Sequence, residues 1–161
     1  MLRFGYAKGR SGMRHGFQDS QVAGLAPPEL LVVAVLRAWM APRRSPSDQD
    51  WQQMLATAGI RPAGVLGFEL LMSALARGAR RSLDVRHCDG VELGRDEAEL
   101  LDLVAALQRG DALSAIGGLS EWLAPDNLSA ALRGAQIFAR HTAAAGLHVR
   151  DEGGPTARLL H

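Results

Sequence analysis

Between Pro28 and Pro42 the chain carries Leu30, Leu31, Val32, Val33, Val35, Leu36, Trp39 and Met40, a stretch with almost no polar face. Such a segment has to be contacted on several sides, so it predicts a central helix rather than a surface one. Pro28 suits the first turn of that helix, and Pro42 and Pro46 stop it, which sets its span at Glu29 to about Ala41. Its purely apolar run, Leu30 to Leu36, is too short to cross a bilayer and is ended by Arg37. It also follows a long segment containing Asp19 and Glu29, so it does not read as an export signal.

One buried helix needs others around it, and the punctuation of the sequence supplies them. Ser47 and Asp50 approximate a capping box, and Trp51, Met54, Leu55 and Ala58 then fall at helical spacing until Gly59. Pro62 opens a third helix rich in Val65, Leu66, Phe68, Leu70, Leu71, Met72 and Leu75, with Glu69, Ser73, Arg77 and Arg80 as a polar stripe facing water. Asp96 with Glu99 is a second near capping box, followed by Leu100, Leu103, Val104 and Leu107 up to Gly110. Asp111 caps a fifth helix, bent or split at Gly117-Gly118, and Pro125-Asp126 starts a last one that closes at Gly146.

Between the third and fourth helices the period changes from helical to two. Leu83, Val85 and His87 alternate with polar residues, Asp89-Gly90 follows, and Val91 and Leu93 alternate again, the pattern of a short β-hairpin near residues 83–93. The expected fold is therefore mainly α, a compact orthogonal array of five to six helices with one small hairpin. Residues 27–147 form the helical domain. Residues 1–26, with five glycines and four basic residues before Asp19, read as a flexible basic arm, and 148–161 as a flexible tail.

The 161 residues fit one domain, and 47% hydrophobic with 22% charged residues is the composition of a packed globular protein. A formal net charge of +1 gives no global field to draw in nucleic acid or anionic lipid. Arginine outnumbers lysine, Lys8 being the only lysine, as expected of a GC-rich bacterial genome. Cys88 is the sole cysteine, which rules out an intrachain disulfide and makes the reducing cytoplasm the expected compartment.

Residue types that carry chemistry are few. His87-Cys88-Asp89 is the densest group, yet in an extended segment His87 and Cys88 point to opposite faces. No CxxC or HxxxH completes a zinc set around them. His141 beside Arg140 suits the negative end of the last helix, and His15, His148 and His161 fall in the arm and tail. Seven carboxylates lie between Asp84 and Asp102, and they read as a solvated face. Glycines 5, 9 and 12 around Lys8 lack the spacing of a phosphate loop, and Arg109-Gly110-Asp111 is accounted for by a helix end followed by a new cap. No catalytic residue, metal ligand or cofactor is assigned on this basis. His87, Cys88 and His141 are the positions to test for a small-ligand, metal-binding or enzymatic role.

The helices on either side of Gly59 raise a DNA-reading helix-turn-helix. The second of them lacks the row of Arg, Asn, Gln or Ser that reaches base edges. Arg3, Lys8, Arg10 and Arg14 of the arm, with Arg43-Arg44 and Arg80-Arg81, remain as phosphate contacts for an alternative nucleic-acid accessory role.

The segment Gly94 to Leu101, Gly-Arg-Asp-Glu-Ala-Glu-Leu-Leu, follows the Cys-bearing turn and resembles part of a group of uncharacterised small helical proteins of GC-rich bacteria. The resemblance covers about a third of the chain and implies no activity. The leading expectation is a non-enzymatic helical interaction or adaptor module, self-associating, with Trp39, Trp51 and Trp122 as interface candidates, because the apolar excess is more than one small core hides.

Overall fold

The computed structural model describes residues 21–42 and 50–150. The expectations placed on the arm before Gln21, on Arg43-Arg44 and Ser47, and on the tail after Arg150 lie outside these residues. The described chain is mainly helical. A short 3-10 turn, Val22–Gly24, leads into α1 (Pro27–Met40), α2 (Trp51–Thr57), α3 (Pro62–Gly78), α4 (Arg95–Gln108), α5 (Ala112–Trp122) and α6 (Pro125–Ala144). No helix among them is long and apolar enough to cross a membrane.

Each helix end has a local cause. Pro27 and Pro28, Pro62, and Pro125 occupy the opening turns of α1, α3 and α6, where a missing N–H costs nothing. Asp50 and Asp111 accept the backbone N–H of Gln52 and Ser114, capping α2 and α5. Gly59, Gly110 and Gly146 follow α2, α4 and α6 with φ of 88°, 79° and 81°, the left-handed conformation that closes a helix and that side-chain-bearing residues resist. Gly117 and Gly118 do not break α5, which runs through both.

The longest helix contact is α3 against α6, antiparallel, and it depends on glycine. A Cβ built on Gly67 would lie 2.8 Å from both Ile137 Cγ2 and the Phe138 nitrogen, and one on Gly134 would lie 2.6 Å from the Leu71 nitrogen. Gly64 fits against His141 at one end of the seam and Gly78 against Asn127 at the other. Backbones that approach this closely bring Phe68 and Phe138 together at 5.1 Å between ring centroids. Trp51 lies 5.5 Å from Phe68, and Trp39 meets Trp51 edge-on at 5.1 Å, so the aromatic cluster joins α1, α2, α3 and α6.

The helical array is as expected from the sequence, but no hairpin forms at residues 83–93. Leu83 and Val85 are buried as the alternation requires. Their neighbours' backbone N–H groups, however, donate to carboxylates of α4 instead of to a second strand: Asp84 to Asp96 and Arg86 to Glu97. At the tip, Gly90 N–H donates to the His87 carbonyl in a simple turn. Described pairing here is limited to one isolated antiparallel bridge, Gln21 with Glu92, which draws the segment before α1 onto the loop.

The folded unit extends past both expected boundaries. Gln21 and Val22 pair with the loop, and Val149 is buried in the core while the N–H of Arg150 donates to Glu29. The glycine seam predicts opposite effects for one kind of substitution. Gly67→Ala and Gly134→Ala force backbone apart and should each destabilise by about 1–3 kcal/mol in urea unfolding. Gly117→Ala and Gly118→Ala, whose added methyls meet nothing within 4 Å, should each stabilise by about 0.5–1 kcal/mol.

Candidate functional site

The densest polar constellation is at the start of α4, and it is built around Arg37. This arginine sits on the apolar helix α1 among the buried Val33, Leu36 and Met40, and its side chain is only 3% exposed. Its Nε donates to Glu97 Oε1 at 2.6 Å and its Nη2 to Glu97 Oε2 at 3.0 Å, a two-pronged pair with a fully buried carboxylate. The remaining reach of the guanidinium goes to the Gly90 carbonyl at 2.8 Å and the Glu92 carbonyl at 2.9 Å. Glu97 in turn accepts the N–H of Gly94 at 2.6 Å and of Arg86 at 3.1 Å. Two buried charges thereby fix the path of the loop between α3 and α4.

Asp96, next on α4, performs the same task on the other side. It accepts Arg81 Nη1 and Nη2 at 2.7 and 2.8 Å, the Asp84 N–H, and Trp122 Nε1 at 2.7 Å. Burial by itself would push its carboxyl up, but the bonds from Arg81, Asp84 and Trp122 outweigh it and hold the carboxyl below its usual range. The hydrogen bond to Asp96 outweighs desolvation in the same way and raises Arg81.

The acidic run was expected to be a solvated face, and Asp96 and Glu97 depart from that expectation. They are among the most buried polar residues of the described chain. The cap is also displaced from the expected position, since Glu97 reaches back to Gly94 and Asp96 lies inside the helix. Sequence reasoning missed Arg37 as a structural residue. The signal was present in a single cation on a helix with no other polar face, which must either break the pattern or find a buried partner.

The expected reactive residues are scattered. His87 and Cys88 are exposed on the loop tip, His87 Nδ1 lying 3.3 Å from Asp89 and Cys88 Sγ 4.0 Å from the Arg37 carbonyl. His141 is half-buried on α6 against Gly64, at the far end of the glycine seam. Among the described residues no three His, Cys, Asp or Glu side chains come together in a way that would hold a metal ion. Trp122 is not a surface residue: it is 2% exposed and donates to Asp96. Trp39 and Trp51 are half-buried in the aromatic cluster. Arg81 of the basic pair Arg80-Arg81 is taken up by Asp96.

Two further polar positions close the other end of the molecule. Gln108 Nε2 donates to Thr142 Oγ1 at 2.9 Å and to the Leu147 carbonyl at 3.0 Å, and its Oε1 accepts Val149 N–H at 2.9 Å, folding the chain back over α6. Glu29 is buried and accepts Arg150 N–H at 2.8 Å through Oε1, while its Oε2 has no partner among the described residues. Beside Gln108 an open groove of about 370 Å³ runs between the α4–α5 turn and α6, with Arg140 and Gln136 on its rim.

No known protein family, characterised protein or solved structure matches this chain. Its chemistry is therefore read from its own geometry. Breaking the buried pair from one side leaves an uncompensated charge, so Arg37→Met and Glu97→Gln should each cost about 3–5 kcal/mol. The double variant should lose far less than the sum of the two, as a double-mutant cycle in urea will show. Asp96 yields a pH prediction with a definite sign. Its folded-state pKa is lowered, so its contribution is complete above the unfolded value of about 3.9 and is lost as pH falls through the folded value. Asp96→Asn should therefore be less stable than the parent at pH 7, with the difference narrowing below about pH 4.

Proposed function

We propose that this chain is a non-enzymatic helical interaction module that self-associates through the outer face of α3. The observation that carries the reading is Leu66, which is 62% exposed on a helix whose opposite face forms the longest contact in the fold. Isolated surface leucines are ordinary, but Leu66 belongs to a row. Ala63 is exposed one turn before it, and Leu70 is half-buried one turn after it. Ile137 of α6 comes against the backbone of α3 at Gly67, so the row continues across the seam onto the neighbouring helix.

Polar residues edge this apolar row. Glu69, Ser73 and Arg77 lie beside it on α3, and Arg133 is exposed on α6. An apolar centre with a polar margin is the anatomy of an association surface. The buried polar groups support the reading from the other direction: Arg37, Glu97, Asp96 and Gln108 have their bonds directed at backbone, at one another, or at Arg81, Trp122 and Thr142. They serve the fold, and Leu66 does not. The tryptophans contribute as the packed support beneath the helices, with Trp51 against Phe68 of α3. We further place the module in the cytoplasm, where an exposed free thiol such as Cys88 is stable.

Sedimentation equilibrium is the direct test. The parent chain should form a dimer at micromolar concentration, and Leu66→Glu should raise the dissociation constant at least about tenfold, a change of about 1.4 kcal/mol, with an unchanged far-UV spectrum. A parent chain that stays monomeric up to about 100 µM, or a Leu66→Glu variant that dimerises as well as the parent, removes the proposal.

A further inference from the structure

The residues lining the groove beside Gln108 are not those of the α3 row, but the two surfaces adjoin on α6, where Gln136 and Arg140 neighbour Ile137 and Arg133 stands at the margin of both. Its walls are Leu107 of α4, Ala112 at the start of α5, and Ala139 and Ala143 of α6. Gly110, in the left-handed conformation, turns the chain sharply between α4 and α5 and puts no side chain into the space. Alanine at three of the four apolar wall positions leaves a recess of about 370 Å³ that is large enough to receive a bigger apolar side chain.

On the α6 side of the groove the charge is positive, and the one carboxylate adjoining its lining is Asp111 on the opposite side. Arg140 and Gln136 line the groove, and Arg133 is one turn before Gln136 on the same exposed row of α6. Among the described residues no carboxylate pairs with Arg140 or Arg133, and α6 carries no acid after Asp126. Asp111, between the lining residues Gly110 and Ala112, has its oxygens on the Ser114 hydroxyl and N–H, which hold it below the usual carboxylate range. That carboxylate is engaged in the helix cap. What the groove offers an incoming segment is therefore a recess of mixed lining, with Leu107 and three alanines beside Gln108 and Gln136, next to a guanidinium that no described carboxylate pairs, the donor geometry suited to a carboxylate.

We propose that this groove docks an acidic, leucine-bearing peptide segment of a partner protein. A leucine enters between Leu107, Ala112 and Ala139, and a neighbouring carboxylate pairs with Arg140. The inference goes beyond self-association through α3 and does not require it. Its test uses the full chain, labelled with nitrogen-15, and two probes: the acetylated and amidated peptide Glu-Glu-Leu-Leu-Glu and its counterpart with lysine in place of each glutamate.

The acidic peptide should shift the amide resonances of Gln136, Ala139, Arg140 and Ala143 in a saturable way, and the basic peptide should not. Arg140→Glu should weaken the acidic peptide at least about tenfold, and Gln136→Glu, a second substitution on the same exposed rim, should act in the same direction. Leu66→Glu should leave peptide binding unchanged, so failure of the α3 contact and failure of the groove are read separately. Absence of shifts at about 1 mM peptide overturns the proposal, as do equal shifts with the basic peptide. Groove resonances that move with protein concentration alone overturn it in favour of a second copy. Resonances that move on Leu159→Asp or Leu160→Asp without peptide overturn it in favour of the chain's own segment after Arg150.

Discussion

Arg37 and Glu97 are withdrawn from water together, and neither can be there without the other. Taking one ion into a protein interior costs several kcal/mol, and only a close partner with its remaining hydrogen bonds satisfied offsets that. Here the requirement is met by backbone: Gly90 and Glu92 offer carbonyls to the guanidinium, and Gly94 and Arg86 offer N–H groups to the carboxylate. The loop between α3 and α4 has no regular secondary structure and could take many paths. It takes this one because any other would strand a buried charge. An apolar pair of the same volume would pack as well and bind nothing in the loop, so the pair's contribution is to specificity of path more than to net stability.

A second constraint acts on the opposite side of the core and involves no charge. The α3–α6 seam is set by the absence of side chains at Gly64, Gly67, Gly78 and Gly134. Close backbone approach increases dispersion contacts along both helices, and it brings Phe68 and Phe138 within ring contact at the centre. The two constraints meet through α1, which carries Arg37 toward α4 and Trp39 toward the aromatic cluster. One apolar helix is thereby fixed at both faces, which is why its sequence needs almost no polar side.

Helix number, order and most ends were legible in the sequence because proline, capping aspartate and glycine act locally, the starts of α2 and α4 being the exceptions. Gly59, Gly110 and Gly146 were identifiable as helix ends from their neighbours alone, and each has the backbone conformation such an end needs. The stretch from Leu83 to Leu93 was misread because alternation reports which side chains are buried and says nothing about what receives the backbone hydrogen bonds. Those bonds go to Asp96 and Glu97, more than ten residues away, and no pattern within the segment reveals that. Asp96 and Glu97 read as solvent-facing for the same reason, their partners being distant in sequence. Trp122 resembled an interface residue until its indole N–H was found on Asp96. The exposed row at Leu66 was hidden among leucines of the same helix, because its seam is made by glycines, which carry no hydropathy signal.

The division of labour among polar groups also separates those that serve the fold from those that do not. A catalytic site usually holds ionisable groups in tension with their surroundings, partly satisfied and aimed at open space. The buried ionisable groups around α4 are instead bonded to one another, to Arg81 and Trp122, and to backbone, and the chemistry-bearing His87, Cys88 and His141 stand apart on a loop tip and a helix seam. Two exposed features of the described chain lie outside this network: an apolar row on α3, and beside α6 a groove with Arg140 on its rim. These are the two surfaces on which the proposed contacts rest. The hydrogen-bonded loop, the glycine seam and the Gln108 closure hold together the fold that carries both.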